Sequence, residues 1–222
     1  EIIKKEYGYN FERFKYFAGH SLGEYSALAC NGAISFEDAL RILQKRGKFM
    51  QEAIPSGEGG MLVALGISSE EIQKILDGTN DMYECYIAND NSKSQVVLSG
   101  LIKDIDLLSK DLESKKIKNI KLNVSAPFHC KYMKSASNKM TSFINNLKIT
   151  KLNKPIISNV TAKEVNSPEQ IKTLLISQIE KKVRWLESVE YMINNGIKSF
   201  VEIGPGKVLS GLIKRINKNV NV

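Results

Sequence analysis

Apolar and polar positions fall in short blocks whose period switches between two and about 3.6, the mark of strands alternating with helices. Residues 14–18, Phe-Lys-Tyr-Phe-Ala, read as a short strand. Residues 24–30 follow as a helix stopped by Asn31-Gly32. A second helix opens at Ser35, with Asp38 in the capping-box position and Leu40, Ile42, Leu43, Phe49 and Met50 as its apolar face. Pro55 bars its continuation, and Ser56-Gly57-Glu58-Gly59-Gly60 predicts a flexible joint.

Beyond the joint, strands are expected over 61–65, 83–88, 95–99 and 117–124, with helices over 68–76 and 102–115. That strand–helix–strand–strand–helix–strand order is the split βαβ, ferredoxin-like pattern. Residues 57–125 are thus expected to form a small α+β subdomain inserted into an α/β core built from 1–56 and 126–222. In the second core segment the pattern predicts helices over 131–147, 167–180 and 188–194, and strands over 155–158 and 199–203. The last strand runs into Gly204-Pro205-Gly206-Lys207 and a final helix from Val208.

Composition narrows the class without naming a function. The 222 residues are 42% hydrophobic and 25% charged, ordinary for a globular domain with a real core. No apolar run approaches the ~20 residues of a membrane span, and no signal-peptide h-region follows the first residues. Cys30, Cys85 and Cys130 are odd in number and far apart, so neither a disulfide framework nor a metal site is expected, and the compartment reads as reducing. The net charge of +8 raises the question of an acidic partner, nucleic acid or an acidic carrier protein, but it equally fits a composition rich in Lys, Asn and Ile and decides nothing alone. The lysines are scattered without a basic stripe or interleaved aromatics, which argues against nucleic acid.

Candidate chemistry sits at the first strand–helix junction. Gly19-His20-Ser21-Leu22-Gly23 fits the G-x-S-x-G nucleophile elbow, in which a tight turn lifts the serine Oγ above the sheet edge. The turn is expected to leave no room for side chains at either glycine, and the Leu22 N–H would be an oxyanion donor. A serine nucleophile needs a base, and the chain has two histidines. His20 would point away from Oγ and pack under the turn, which leaves His129, after Ala126-Pro127-Phe128. Arg46 precedes Gly47, a glycine costing about 1 kcal/mol relative to alanine in a helix interior and so suggesting close approach of another element or ligand. Gly204-Pro205-Gly206-Lys207 lacks P-loop spacing and is read as a turn at the sheet edge.

Six ordered blocks resemble the malonyl-CoA:acyl-carrier-protein transacylase family. They are residues 19–28, 46–51, 88–92 (Ala-Asn-Asp-Asn-Ser), 125–129 (Ser-Ala-Pro-Phe-His), 189–192 and 202–209. The resemblance implies an α/β-hydrolase-like core with a parallel sheet plus the ferredoxin-like insertion. It implies Ser21 as nucleophile, His129 as base, the backbone carbonyl of Gln178 holding the imidazole, and Leu22 in the oxyanion hole. Arg46 would bind the malonyl carboxylate, Asn89 and Asn91 would face the substrate cleft with His20 nearby, and Phe128 would favour malonyl over α-branched acyl groups. The family pattern also starts with a strand and a Gly-Gln-Gly motif ahead of the elbow. This sequence has no such motif, so a piece of the sheet and one oxyanion donor are expected to be missing from it.

The implied activity is that of an [acyl-carrier-protein] S-malonyltransferase of type II fatty acid biosynthesis. Its partners would be a coenzyme A thioester and an acyl carrier protein, steered by Lys207, Lys214 and Arg215, with no metal or redox cofactor. A monomer in the cytoplasm, or in a plastid-type organelle of a eukaryote, is expected. The alternatives are an α/β-hydrolase-type esterase or thioesterase, which places its histidine last in the chain after an acidic residue, and a non-catalytic remnant that docks the carrier.

Overall fold

The computed structural model describes residues 6, 8, 10–79, 82–124 and 126–222. Ser125, which closes the expected small subdomain and opens the 125–129 block, lies outside the described residues.

A 3-10 turn, Phe11–Arg13, leads to strand β1 (Phe17–Ala18), shorter than its apolar run suggests. Helix α1 (Gly23–Asn31) stops at Gly32, whose φ of +82° suits glycine and whose N–H returns to the carbonyls of Leu28 and Ala29. Helix α2 (Phe36–Gln51) is capped by Ser35, whose Oγ accepts from the Asp38 N–H at 3.0 Å. Its buried face is Ala39, Ile42, Arg46 and Met50, one residue per turn, while Leu40 from the expected apolar face is exposed. Arg46 therefore enters the protein on the apolar stripe.

Four antiparallel strands follow: β2 (Gly59–Leu65), β3 (Cys85–Ser92), β4 (Gln95–Leu101) and β5 (Lys118–Lys121), ordered β5-β2-β4-β3. Gly59 and Gly60, expected in the joint, instead open β2. A Cβ on Gly59 would lie 2.2 Å from Pro127 Cδ, so the strand passes the loop before His129 only as glycine. Helix α3 (Ser69–Asp77), with a complete Ser68/Glu71 capping box, and helix α4 (Ile102–Ser114) pack apolar residues against this sheet. The opposite face carries Met61, Val63, Ala88 and Val97, against which Phe128 packs. The sheet acquires a fifth strand from further along the chain: β8 (Val183–Arg184) pairs in parallel with Asn89 and Asp90 of β3. The sequence pattern gave no hint of so short a strand.

The rest of the core consists of α5 (Lys134–Asn146), β6 (Ile156–Ile157), β7 (Glu164–Val165), α6 (Pro168–Gln178), α7 (Trp185–Asn194) and α8 (Val208–Ile216). Strand β6 lies parallel to β1 and antiparallel to β7, so the fold is α/β with both strand senses. Residues 131–133, expected to begin a helix, form a separate 3-10 turn. The strand expected over 199–203 is absent: Ser199 makes one bridge to Asn221, and Val201 and Ile203 are exposed. Alternation of apolar residues there is not matched by a partner strand among the described residues. The Gly204–Lys207 turn holds no anion site open, because the Glu202 carboxylate already accepts from the Leu209 and Ser210 N–H groups at the start of α8.

Three glycines separate close packing from chance. A Cβ on Gly19 would sit 1.9 Å from the Gly23 carbonyl oxygen, whereas Cβ atoms on Gly23 and Gly47 would meet nothing within 4 Å. Of the two elbow glycines only the first is required sterically, and no described residue closely approaches Gly47. Gly19→Ala should cost several kcal/mol by forcing the elbow apart, roughly the range of severe overpacking. Gly47→Ala, exposed in the interior of α2, should stabilise by about 0.5–1 kcal/mol. Thermal melts of the two variants will check the contrast.

Candidate active site

The parallel pair β1–β6 sets the site. The residues that follow these strands, Gly19–Ser21 on one and Ser158–Asn159 on the other, meet at the carboxyl ends of the strands, where α/β sheets carry ligands. Ser21 is held at φ +53° and His129 at φ +60°, left-handed conformations that a non-glycine residue adopts at some cost. Of the four non-glycine residues described with positive φ, these two carry the candidate chemistry, and Lys116 and Ala162 lie elsewhere. Ser21 Oγ lies 2.8 Å from His129 Nε2, and His129 Nδ1 lies 2.9 Å from the Gln178 carbonyl oxygen. Nδ1–H donates to that carbonyl, which leaves Nε2 free to accept the serine proton. The imidazole is steered by a backbone carbonyl and not by a carboxylate.

Arg46 completes the constellation. Its Nη2 donates to Ser21 Oγ at 3.0 Å and to Gln178 Oε1 at 3.0 Å. The guanidinium is buried, lies 5.7 Å from the Tyr25 ring centroid, and makes no ion pair among the described residues. Its Nε also lacks a hydrogen-bond partner among them. A buried, unpaired cation beside a nucleophile is the place for an anionic substrate group.

Three further residues hold these groups and were not assigned from sequence in these roles. The Asn159 side chain splints the elbow, accepting from Ser21 N–H at 2.7 Å and donating to the Gly19 carbonyl at 2.7 Å. The Gln178 side-chain amide donates to the Ser21 carbonyl at 3.0 Å and to Glu24 Oε2 at 2.6 Å. Glu24, read from sequence only as a helix former, is 1% exposed and also accepts from Asn159 N–H at 3.2 Å. The one available signal was position: Asn159 lies two residues beyond the buried strand β6, next to the elbow strand, and Glu24 lies among the buried positions of α1.

The other expected site residues divide. Leu22 is exposed above the elbow, and its N–H makes no hydrogen bond among the described residues. His20 turns away from Ser21, bonding Asn91 Oδ1 at 2.8 Å and packing on Trp185 with ring centroids 5.6 Å apart. Asn91 therefore braces the elbow from β3. Asn89 is buried on the same strand and makes no hydrogen bond to Ser21, His129 or Arg46. Phe128 is partly buried between the sheet face and the main core. Arg215 bonds Gln95 and Lys214 bonds the Val220 carbonyl, so these two cations are already engaged. A cavity of about 830 Å³ reaches His129 between the outer edge of β3 and residues 180–182, and Tyr86, Lys131, Lys181 and Lys182 line it.

Burial governs the electrostatics. It lowers the His129 imidazole to about 3, helped by the Arg46 charge and opposed by the Gln178 carbonyl. The base is thus neutral across the working pH range. The acid limb of kcat/KM should lie well below the ordinary histidine value of about 6.5. A pH–rate profile that loses activity through pH ~6.5 would contradict this placement.

The acyl transferase domain family model matches residues 5–221. The chain belongs to this family. It is 43% identical over 205 residues to a malonyl CoA-acyl carrier protein transacylase of Bacillus subtilis, a match covering 91% of the chain and 65% of that relative. The chain thus spans about two thirds of the length of the curated relatives it matches. Among solved structures it resembles an acyl-carrier-protein-S-malonyltransferase from Bartonella henselae, with a TM-score of 0.94 and 38% identity over 99% of the chain and 70% of the other. It also resembles a malonyl-transacylase solved in complex with its type II PKS acyl-carrier protein, with a TM-score of 0.92 and 36% identity over 99% and 71%. Among the described residues no helix is long and apolar enough to cross a membrane, and no group of His, Cys, Asp or Glu could hold a metal.

Proposed function

We propose that the protein transfers the malonyl group of malonyl-CoA to the phosphopantetheine thiol of an acyl carrier protein, through a malonyl-Ser21 ester, in type II fatty acid biosynthesis. The observation that carries this reading is the buried Arg46 guanidinium, 3.0 Å from the nucleophilic oxygen and with no carboxylate in direct contact among the described residues. A short acyl group with a free carboxylate would bridge the two, and the names of the related proteins point to the same substrate.

In the first half-reaction Ser21 Oγ gives its proton to His129 Nε2 and bonds to the thioester carbon. The Leu22 N–H meets the oxyanion, and coenzyme A leaves as its thiol with the proton from His129. In the second, His129 takes the carrier thiol's proton, sulfur attacks the ester, and Ser21 recovers the proton. Each step balances by moving one proton through one imidazole. The cavity at His129 sets Lys131, Lys181 and Lys182 among Asp77, Glu84 and Glu180, and Lys131 is paired with Glu84, so Lys181 and Lys182 are the cations offered to the phosphates of coenzyme A and to an acidic carrier.

The finer architecture belongs to the same proposal. Residues 57–125 are read as a ferredoxin-like subdomain on the strength of their antiparallel β5-β2-β4-β3 order, seated on an α/β-hydrolase-like part formed by 1–56 and 126–222. The test supplies malonyl-CoA with and without holo carrier protein. Transfer to the carrier should greatly exceed release of free malonate, and malonate release at an equal rate would favour a hydrolase.

A further inference from the structure

Glu24 is a buried acid that the proposed mechanism does not use. Its carboxyl sits beneath the elbow, 2.6 Å from Gln178 Nε2, while the same amide's oxygen accepts from Arg46. The Gln178 side chain therefore lies between a buried acid and a buried base, with its dipole aligned from one to the other. The charged and titratable groups around Glu24 are Arg46 on α2, Tyr25 on its own helix, and His129 behind Gln178. Among carboxylates, Glu24 is the one whose charge is felt at Arg46.

We propose that Glu24 is the resting counter-ion of Arg46, coupled to it through the Gln178 amide, and that a substrate carboxylate on Arg46 displaces it from that role, so that binding takes up a proton at Glu24. The proposal rests on reading Arg46 as the site of the acyl carboxylate. Two anions sharing one buried cation cannot both stay ionised at low cost, because each loses part of the stabilisation the cation gave the other. Glu24 is the group able to yield. Burial raises it to about 7, with Gln178, Asn159 and Arg46 holding it down. Its neighbours do not titrate nearby: Tyr25 is pushed up to about 12 and His129 down to about 3. A second anion at Arg46 moves Glu24 higher still. Below its resting value Glu24 is already protonated and nothing is taken up. Above that value uptake appears, and binding weakens as pH rises. Glu24 would thus be a positioning residue that tunes how strongly Arg46 prefers an acidic acyl group.

The test uses Ser21→Ala protein, which binds without being acylated, titrated calorimetrically with malonyl-CoA in buffers of different ionisation enthalpy near pH 7.5. We expect uptake of a substantial fraction of a proton, and about tenfold weaker binding at pH 8.5 than at pH 6.5. Acetyl-CoA, which has no carboxylate, should show neither effect. Ser21→Ala/Glu24→Gln should bind malonyl-CoA with little pH dependence and no uptake. Tight malonyl-CoA binding with no uptake, or with uptake unchanged by Glu24→Gln, overturns the role given to Glu24. Malonyl-CoA binding no better than acetyl-CoA overturns instead the underlying assignment of Arg46. Should Glu24→Gln fail to fold, the buffer series on Ser21→Ala still decides, since zero uptake there contradicts the proposal.

Discussion

Ser21→Ala will lower malonyl transfer by about 10⁴-fold or more while leaving the fold intact, because it removes the attacking atom and little else. Ser21 Oγ is the meeting point of His129 Nε2 at 2.8 Å and Arg46 Nη2 at 3.0 Å, so both neighbours lose their common partner. The backbone that bears it is fixed independently by Asn159 and by the Gln178 side chain, through the Ser21 N–H and carbonyl. The elbow should therefore persist in the variant, and circular dichroism and melting should match the parent. His129→Ala should fall to a similar level, and the double variant no further, since the two side chains act as one unit. Fully additive losses would mean that they do not share a step.

The second large effect is on choice of acyl group. Arg46→Ala should reduce kcat/KM for malonyl-CoA by roughly 10²–10³-fold, the range seen when one member of a buried charge pair is removed. Acetyl-CoA should change by less than about tenfold, through the lost hydrogen bonds to Ser21 Oγ and Gln178 Oε1. The ratio of the two substrates is the informative quantity, since general damage to the site would lower both. Arg46→Lys should recover only part of the preference, because an ammonium cannot present two parallel donors to a carboxylate. An unchanged malonyl-to-acetyl ratio in Arg46→Ala would remove the basis for assigning the acyl group.

Much of this site could be read from the chain, for identifiable reasons. Ser21 announced itself because a nucleophile elbow requires a strand, a glycine turn and a helix in consecutive positions, all local features. His129 followed by elimination, since His20 was expected to face away and does. Four of the described strands are only two residues long; β1 and β6 were legible because longer apolar runs surround them, whereas β7 and β8 lie among polar residues and leave no periodicity. The run over 199–203 showed the reverse failure, an apolar alternation without a partner strand among the described residues. The burial of Arg46 follows from its phase, since it lies one turn from Ile42 and one from Met50 on the same buried face. Its neighbour Gly47 pointed to no packed element, since no described residue lies within 4 Å of where its Cβ would be. Asn159, Glu24 and the Gln178 side chain were hidden because their roles consist of contacts between segments more than 130 residues apart. Such contacts belong to the folded chain and leave no local pattern.

The central claim is that an acyl group passes through Ser21, and mass spectrometry of the protein mixed with malonyl-CoA tests it most directly. The account predicts a mass gain of one malonyl group on the peptide bearing Ser21, discharged when holo acyl carrier protein is added, with the malonyl group then found on the carrier's thiol. Carrier acylation without any adduct on Ser21, or an adduct that releases only free malonate, would contradict it.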